Sequence, residues 1–431
     1  MKLIPWLKSW LTRRRRIRDV SGLTSDAVGG EGATRREVVI SSDQPLKPEH
    51  PRKAFRDSRL LPKPQLQVSN PFTHWGRKKP VVIPRQEADR LFSATMRTRD
   101  RNARDLAVDA EQLARLGLPL WTTEAGVAAA LGLTVNQLRH YSIHRQRETT
   151  VHYVTFAIRK RSGGQRLIHA PKRRLKAIQR NLLEQLVEKL PVSRFAHGFR
   201  KGLSVATNAA PHVAKPVVIK LDIADCFPTI HFGRVRGLLI AYGYSYPVAQ
   251  TLAVLMTEPP RQPVEIDGVL YHVPVGPRVC VQGAPTSPAL CNAVLRRLDH
   301  RLAGLARKHG YDYTRYADDL TFSGVDLTKI SLILVRAARI AREEGLPLND
   351  QKTHVMRAGQ RQTVTGVTVN QTAGLSRRER RRLRAAIHQR ALAKTPDAAL
   401  DQRLDGKLAY LRMLNPSQAE SLVVARREGD D

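Results

Sequence analysis

The sequence predicts an α+β fold in which an antiparallel sheet carries helices on one face. Three observations lead there. Residues 151–158 alternate in strand fashion, turn at Gly163-Gly164 and return through Leu167-Ile168, which is the pattern of a hairpin. Val217 to Asp222 is a short apolar run closed by an acid, as a buried strand would be. Amphipathic helical patterns at 172–190, 232–256, 286–309 and 328–344 surround a second hairpin at Tyr316 to Asp319.

Taken in order, residues 1–118 mix basic clusters with Pro and Gly, as in Pro45-Leu46-Lys47-Pro48, so this extension is expected to be largely irregular. Within it, Leu91, Met96, Leu106, Leu113 and Leu116 fit one or two helices. Residues 119–150 read as a helical lead-in. A capped pattern starts at Thr122 or Thr123, runs through Val127, Ala130 and Leu131, breaks at Gly132 and resumes from Leu133 to Leu138. A helical hairpin packed on the next domain is the expectation, with a helix-turn-helix as the alternative, because Asn136, Gln137 and Arg139 are its few base-reading candidates. Residues 151–373 form the sheet-bearing body. From 374 to 431 the chain becomes helical and basic, Arg377 to Arg390 first and Leu404 to Leu414 next.

Charge sets the partner class. Lys plus Arg number 73 against 38 Asp plus Glu, a formal net charge of +35 over 431 residues. Such an excess repels itself unless it meets a polyanion, which points to nucleic acid rather than to a solubilising surface. Cys226, Cys280 and Cys291 form no C-x-x-C pair, which argues against a disulfide framework and a zinc ribbon. No apolar run reaches the roughly 18 residues of a membrane span. The apolar N-terminal residues precede the basic run Arg13 to Arg16, the reverse of a secretory signal, so the expected location is the cytoplasm.

Two acidic positions carry the candidate chemistry. Asp222 closes a strand, and Asp318-Asp319 sits at a hairpin tip. Neighbouring strand residues face opposite sides, so at most one of the doublet would point fully toward a metal shared with Asp222. Carboxylates gathered near a triphosphate make sense with divalent cations between them, and Mg2+ takes a few carboxylates together with phosphate oxygens. Acids in turns are ordinarily caps or solvated loops. Here they come in the order Leu221-Asp222-Ile223-Ala224-Asp225-Cys226-Phe227, Gln282-Gly283-Ala284-Pro285-Thr286-Ser287-Pro288, then Tyr316-Ala317-Asp318-Asp319.

Together these segments resemble the palm of a reverse transcriptase, over about Phe156 to Asn370. The resemblance implies right-hand polymerase-like fingers and palm, with the basic C-terminal helices as a thumb. It implies Asp222, Asp318 and Asp319 as catalytic residues, holding two Mg2+ ions together with the Ile223 carbonyl, with Mn2+ able to substitute. Lys160 and Arg166 in the fingers hairpin would contact the triphosphate of a dNTP. Phe227 would block a 2′-hydroxyl on the incoming sugar, and Gln282-Gly283 would let backbone approach the nucleotide. Lys352, in Asn349-Asp350-Gln351-Lys352-Thr353, would reach the nucleotide with its charge or a proton. Asp225 reads as a surface or structural acid.

Asn208-Ala209-Ala210-Pro211-His212 fits an N-A-x-x-H segment, and Val364-Thr365-Gly366 a V-T-G segment, that are similar to those of bacterial retron reverse transcriptases. That group implies an RNA-directed DNA polymerase that binds a cognate structured non-coding RNA and primes from the 2′-hydroxyl of an internal guanosine. The product would be branched, RNA-linked single-stranded DNA (msDNA). The group also implies anti-phage defence in the bacterial cytoplasm with a separately encoded effector protein. Asn208, His212, Val364, Thr365 and Gly366, with Arg377, Arg381 and Arg384 of the thumb, are the expected RNA contacts. The extension of roughly 118 residues departs from the group's compact pattern. Two alternatives stay open: another bacterial defence or intron-like reverse transcriptase making unbranched DNA, and a non-catalytic RNA-binding protein with a polymerase-like palm.

Overall fold

A computed structural model describes residues 81–82, 107–143, 148–159, 163, 165–393 and 395–427. The expectations for the rest of the N-terminal extension, its helices over Leu91 to Leu106 included, lie outside the described residues, as does Lys160.

Strand β1 (Val81–Val82) pairs in parallel with a later strand at Val264 and Glu265. Helix α1 (Ala110–Arg115), capped by Asp109, seats Leu113 in the core. Helices α2 (Glu124–Ala130) and α3 (Val135–Ser142) form the expected helical hairpin, capped by Thr123 and Thr134. Thr134 and Gln137 satisfy each other's backbone N–H groups in a capping box. Strands β2 (Tyr153–Arg159) and β3 (Gln165–Pro171) pair antiparallel along their whole length, and α4 (Arg173–Gln185) follows.

Next come α5 (Val205–Ala209), β4 (Val217–Asp222), the one-turn α6 (Cys226–Thr229), α7 (Phe232–Ala241) and α8 (Tyr246–Leu255). The break between α7 and α8 falls at Gly243, where φ is 110° and a Cβ would lie 2.8 Å from the Asp109 carbonyl oxygen. Only glycine lets α1 dock that closely. The hairpin β5 (Arg261–Ile266) and β6 (Val269–Pro274) was not expected from the sequence, because Pro263 and Glu265 dilute its apolar pattern. The chain continues through α9 (Ser287–Val294), α10 (Arg296–Lys308), β7 (Tyr311–Tyr316), β8 (Asp319–Gly324), α11 (Ile330–Glu343) and β9 (His354–Arg357). The short hairpin β10 (Thr363–Val364) and β11 (Val367–Thr368) leads to α12 (Arg377–Leu392), α13 (Ala398–Leu414) and α14 (Pro416–Arg427).

The palm sheet runs in the order β7-β8-β4-β9, antiparallel throughout. Its central strand reads as a continuous apolar run because both faces are covered, not one. Val217, Ile219 and Leu221 belong to the main core, whereas Val218 packs with Ala209, Val364, Val367, Val369 and Leu414. The main core also takes in Leu113, Leu118 and Trp121, so packing draws no line at residue 118. The three C-terminal helices close a smaller core of their own around Leu383, Ile387, Leu404, Leu408 and Leu411. Among the described residues no helix is long and apolar enough to cross a membrane.

The largest fully buried side chain among the described residues is Arg315 of β7. Its side chain and that of Asp299 on α10 are both 0% exposed. Arg315 donates from Nε and Nη2 to the two Asp299 oxygens, each at 2.8 Å, and from Nη1 to Asn292 Oδ1 at 2.9 Å and to the Ala317 carbonyl at 3.0 Å. Tyr313 donates its hydroxyl to Asp299 at 2.9 Å. Burial alone would weaken the guanidinium's hold on its proton, but the Asp299 charge and hydrogen bonds outweigh it and hold Arg315 above its ordinary value. Asp299→Ala is therefore expected to cost about 3–5 kcal/mol in denaturant unfolding, because it strands a buried cation. Asp299→Leu combined with Arg315→Met should recover most of that loss.

Candidate active site

Asp222 is the last residue of β4 and stands directly across from Asp319, the first of β8. Cross-strand partners share a face, so register alone brings these two carboxylates together. Asp318 occupies the tight β7–β8 turn after Ala317, whose φ is 57°. Left-handed backbone is what a short hairpin turn needs to follow the strand twist. Three segments are stitched here by backbone hydrogen bonds. Ile223 N–H donates to the Asp318 carbonyl at 3.0 Å, Asn349 N–H to the Asp222 carbonyl at 2.8 Å, and Ala224 N–H to the Pro347 carbonyl at 2.8 Å.

The electrostatics are unbalanced toward negative charge. Lys352 Nζ lies 3.0 Å from both oxygens of Asp222, and Lys220 lies 3.7 Å from Asp319. Burial, and then the charges of Asp222 and Asp319, push the Asp318 carboxyl above its usual range. Asp319 is raised by burial too; Lys220 opposes the shift and Asp222 adds to it. The Lys352 ammonium, 60% exposed, is held above its ordinary value by its hydrogen bond to Asp222. Among the described residues no three His, Cys, Asp or Glu side chains are already gathered at metal-holding distance. The donor set nonetheless fits a hard divalent cation: its oxygens repel one another and are only partly offset by Lys220 and Lys352, and a lysine ammonium already sits on Asp222 as a cation would. The Ile223 side chain is buried in the core, so anything it gives a cation comes from its backbone.

Around this centre, Phe227 on α6 is half-buried against the main core, and Asp225 before it is exposed with φ of 47°. Arg166 is exposed on β3. Gln282 accepts at its carbonyl from His169 N–H at 2.7 Å. A Cβ at Gly283 would lie 2.8 Å from the His169 carbonyl oxygen, so this glycine is needed for the approach of β3. The segment ties the fingers hairpin to the palm.

The expected RNA contacts divide into two groups. Asn208, His212 and Val364 are fully buried, which corrects the reading of their side chains as RNA-facing. His212 bridges the palm hairpin, with Nδ1 2.7 Å from Ser323 Oγ and Nε2 2.7 Å from Thr314 Oγ1. Asn208 donates from Nδ2 to Thr365 Oγ1 at 3.4 Å, so the two short segments, far apart in sequence, meet behind the sheet. Thr365 and Gly366 form the β10–β11 turn, with φ of 47° and 86°, and Gly366 is exposed. Arg377, Arg381 and Arg384 are exposed on α12 at spacings of four and three, which places them on one stripe. Arg381 and Arg384 line an open hollow of about 440 Å³ with His388 and Leu422.

Sequence reasoning missed Arg315, Asp299, Asn292 and Gly198, which fix the Ala317-Asp318 turn from below. A Cβ at Gly198 would lie 2.7 Å from the Ala317 nitrogen.

Burial lowers the His212 imidazole to about 4; the Asp312 charge opposes this, while His197 and Lys215 add slightly to it. The fold therefore holds His212 neutral, and its contribution is complete above the unfolded value near 6.5 and lost as pH falls from there toward 4. Unfolding free energy is expected to drop by up to ~3 kcal/mol over that window on this group's account. Denaturant titrations at pH 7 and pH 4.5 should show a smaller drop for His212→Gln than for the unaltered chain.

Residues 158–372 match the family model described as reverse transcriptase (RNA-dependent DNA polymerase). Over 389 residues the chain is 63% identical to the Retron Mx65 reverse transcriptase of Myxococcus xanthus, covering 90% of this chain and 89% of that protein. The Retron Mx162 reverse transcriptase of the same organism is 41% identical over 72% of this chain and 68% of its own length. The Retron Ec86 reverse transcriptase of Escherichia coli is 28% identical over 72% and 91%. Among solved structures, a foamy viral protease-reverse transcriptase in complex with double-stranded DNA aligns over 68% of this chain and 42% of that one, at 15% identity and a TM-score of 0.39. Reverse transcriptases generally use divalent metal ions.

Proposed function

Because the chain belongs to the retron reverse transcriptases and is an RNA-directed DNA polymerase, we propose that it copies a cognate structured non-coding RNA into branched, RNA-linked single-stranded DNA. Priming is from the 2′-hydroxyl of an internal guanosine. The observation that carries the polymerase chemistry is the register that sets Asp222 across from Asp319 beneath Lys352. The near-full-length identity to a retron enzyme supports the narrower substrate.

In this reading Asp222, Asp318 and Asp319, with the Ile223 carbonyl, hold two Mg2+ ions, or Mn2+ in their place. When bound, such ions activate the attacking hydroxyl and stabilise the pyrophosphate leaving group. Lys352 swings on its exposed stem from Asp222 to the departing pyrophosphate and supplies charge or a proton. Arg166, together with Lys160, neutralises the triphosphate of the dNTP. Phe227 stands against the sugar and excludes a 2′-hydroxyl, while the Gln282-Gly283 backbone lines the nucleotide. The Arg377, Arg381 and Arg384 stripe grips phosphates of an A-form hybrid, whose shallow minor groove is read by shape and 2′-hydroxyls. The enzyme works in the bacterial cytoplasm, in anti-phage defence, with a separately encoded effector protein.

Nucleic acid that co-purifies with the protein from its host tests the priming. DNA that loses its attached RNA to RNase and whose link yields to a debranching enzyme is expected; DNA without that link would keep the polymerase and discard the branched product. Asp318→Asn, which removes a cation ligand without changing volume, should retain the RNA and carry no DNA. RNA without DNA in the unaltered protein, supplied with Mg2+ and dNTPs, would favour the binding-only alternative. Phe227→Ala should lower the preference for deoxynucleotides by roughly 10- to 100-fold in single-nucleotide extension, the range a changed steric pocket commands.

A further inference from the structure

Phe199 adopts a backbone conformation that a bulky residue seldom takes, with φ of 59°. Its neighbours hold it there. Gly198 lies tight under the catalytic turn, and its carbonyl accepts from Asn292 Nδ2 at 2.8 Å. Arg200 turns back to donate from Nη1 to the Ser193 carbonyl at 3.0 Å and the Ala196 carbonyl at 3.1 Å. Between these anchors the Phe199 ring is left 49% exposed, its centroid 6.5 Å from that of Tyr316 beside the catalytic carboxylates. A core role is excluded by that exposure. Strain of this kind persists where the surroundings over-determine it, and it clusters where a protein meets its ligand.

The aromatic surface does not end there. Tyr410 on α13 is 37% exposed. Its phenol is pushed up by burial and then by Glu379 and Tyr316, which puts it within electrostatic reach of the Tyr316 ring. Palm and thumb thus each present a partly exposed ring, Phe199 and Tyr410, and Lys201 adds an exposed cation two residues after Phe199. Rings interleaved with cations are how proteins hold bases whose faces are open.

We infer that Phe199 is a base-stacking residue: a nucleobase at the growing end of the primer–template lies against its ring, and Tyr316 beside it extends that surface. The inference rests on the polymerase reading and deepens it. The base comes from the template RNA or from the DNA product, and the chemistry of the contact is the same for both.

The test uses the full chain and short RNA–DNA primer–templates, with binding measured by fluorescence anisotropy in the absence of nucleotide. Phe199→Ala and Phe199→Gly should weaken binding about tenfold, while Phe199→Trp retains it. Phe199→Gly should keep or raise the Tm, since glycine accepts this backbone without strain, which separates lost stacking from lost folding. A series of duplexes then carries a single abasic residue near the terminus in one strand or the other. At one position the abasic residue should cost the unaltered protein about tenfold and Phe199→Ala nothing, and the strand in which it falls identifies the source. Equal abasic penalties in both proteins at every position would overturn the inference, and point to another occupant of the ring. Failure of the unaltered protein to extend any primer would instead count against the polymerase reading.

Discussion

The site depends on a buried charge. Arg315 and Asp299 have no access to water, and a bidentate pair with Asn292 and Tyr313 around it is what makes that burial tolerable. One bond of the network leaves the pair and ends on the Ala317 carbonyl, inside the turn that presents Asp318. A turn that holds mutually repelling carboxylates would relax outward if its backbone were free. A guanidinium fixed from below by a carboxylate gives the turn a floor, and Gly198, which leaves no room for a Cβ against Ala317, gives it a wall.

Above that floor the site is kept short of positive charge. Burial and mutual repulsion raise Asp318 and Asp319, and Lys220 and Lys352 offset this only in part. An arrangement that is poorly balanced by itself is one that a divalent cation completes. Lys352 shows the same point from the other side, since its ammonium is shared equally between the two oxygens of Asp222 while most of its stem stands in solvent. A cation that is held but not enclosed is free to move to a phosphate.

Much of this was legible in the sequence. The strand ending at Asp222, the hairpin at Asp318-Asp319 and the lysine loop were placed by periodicity and motif, and the structure sets all three at one end of the palm sheet. What escaped was whatever depends on contacts between distant residues. Arg315 sits in a strand where a buried arginine and a surface arginine look alike, because nothing local reveals Asp299 on a neighbouring helix. The Gly283 requirement lies in β3, more than a hundred residues upstream. The β5–β6 hairpin and α14 were missed for the opposite reason, since their own patterns are weak and tertiary contacts decide them. Asn208 and His212 were noticed for their motif, but a polar residue in a loop motif is ordinarily solvated, and burial beneath a sheet has no signature in a single sequence.

The two faces of β7 connect these observations. Side chains alternate along a strand, so Arg315 and Thr314 point to opposite sides of the sheet. Arg315 enters the main core and supports the turn. Thr314 meets His212 on the other face and donates to the Asn208 carbonyl at 3.4 Å, and Asn208 in turn bonds Thr365 in the exposed β10–β11 turn. The β7–β8 hairpin is therefore clamped from both faces, and the face away from the main core is built from the 208–212 and 364–366 segments. Their burial gives them a mechanical connection to the hairpin that carries Asp318, with only the Thr365-Gly366 turn left open to a partner. A substitution in either segment acts on the geometry of the Asp318 turn as well as on any RNA held at the Thr365-Gly366 turn, so synthesis on the cognate RNA and synthesis on an artificial primer would fall together when Asn208 or His212 is lost, and separate only when the change is confined to the exposed β10–β11 turn.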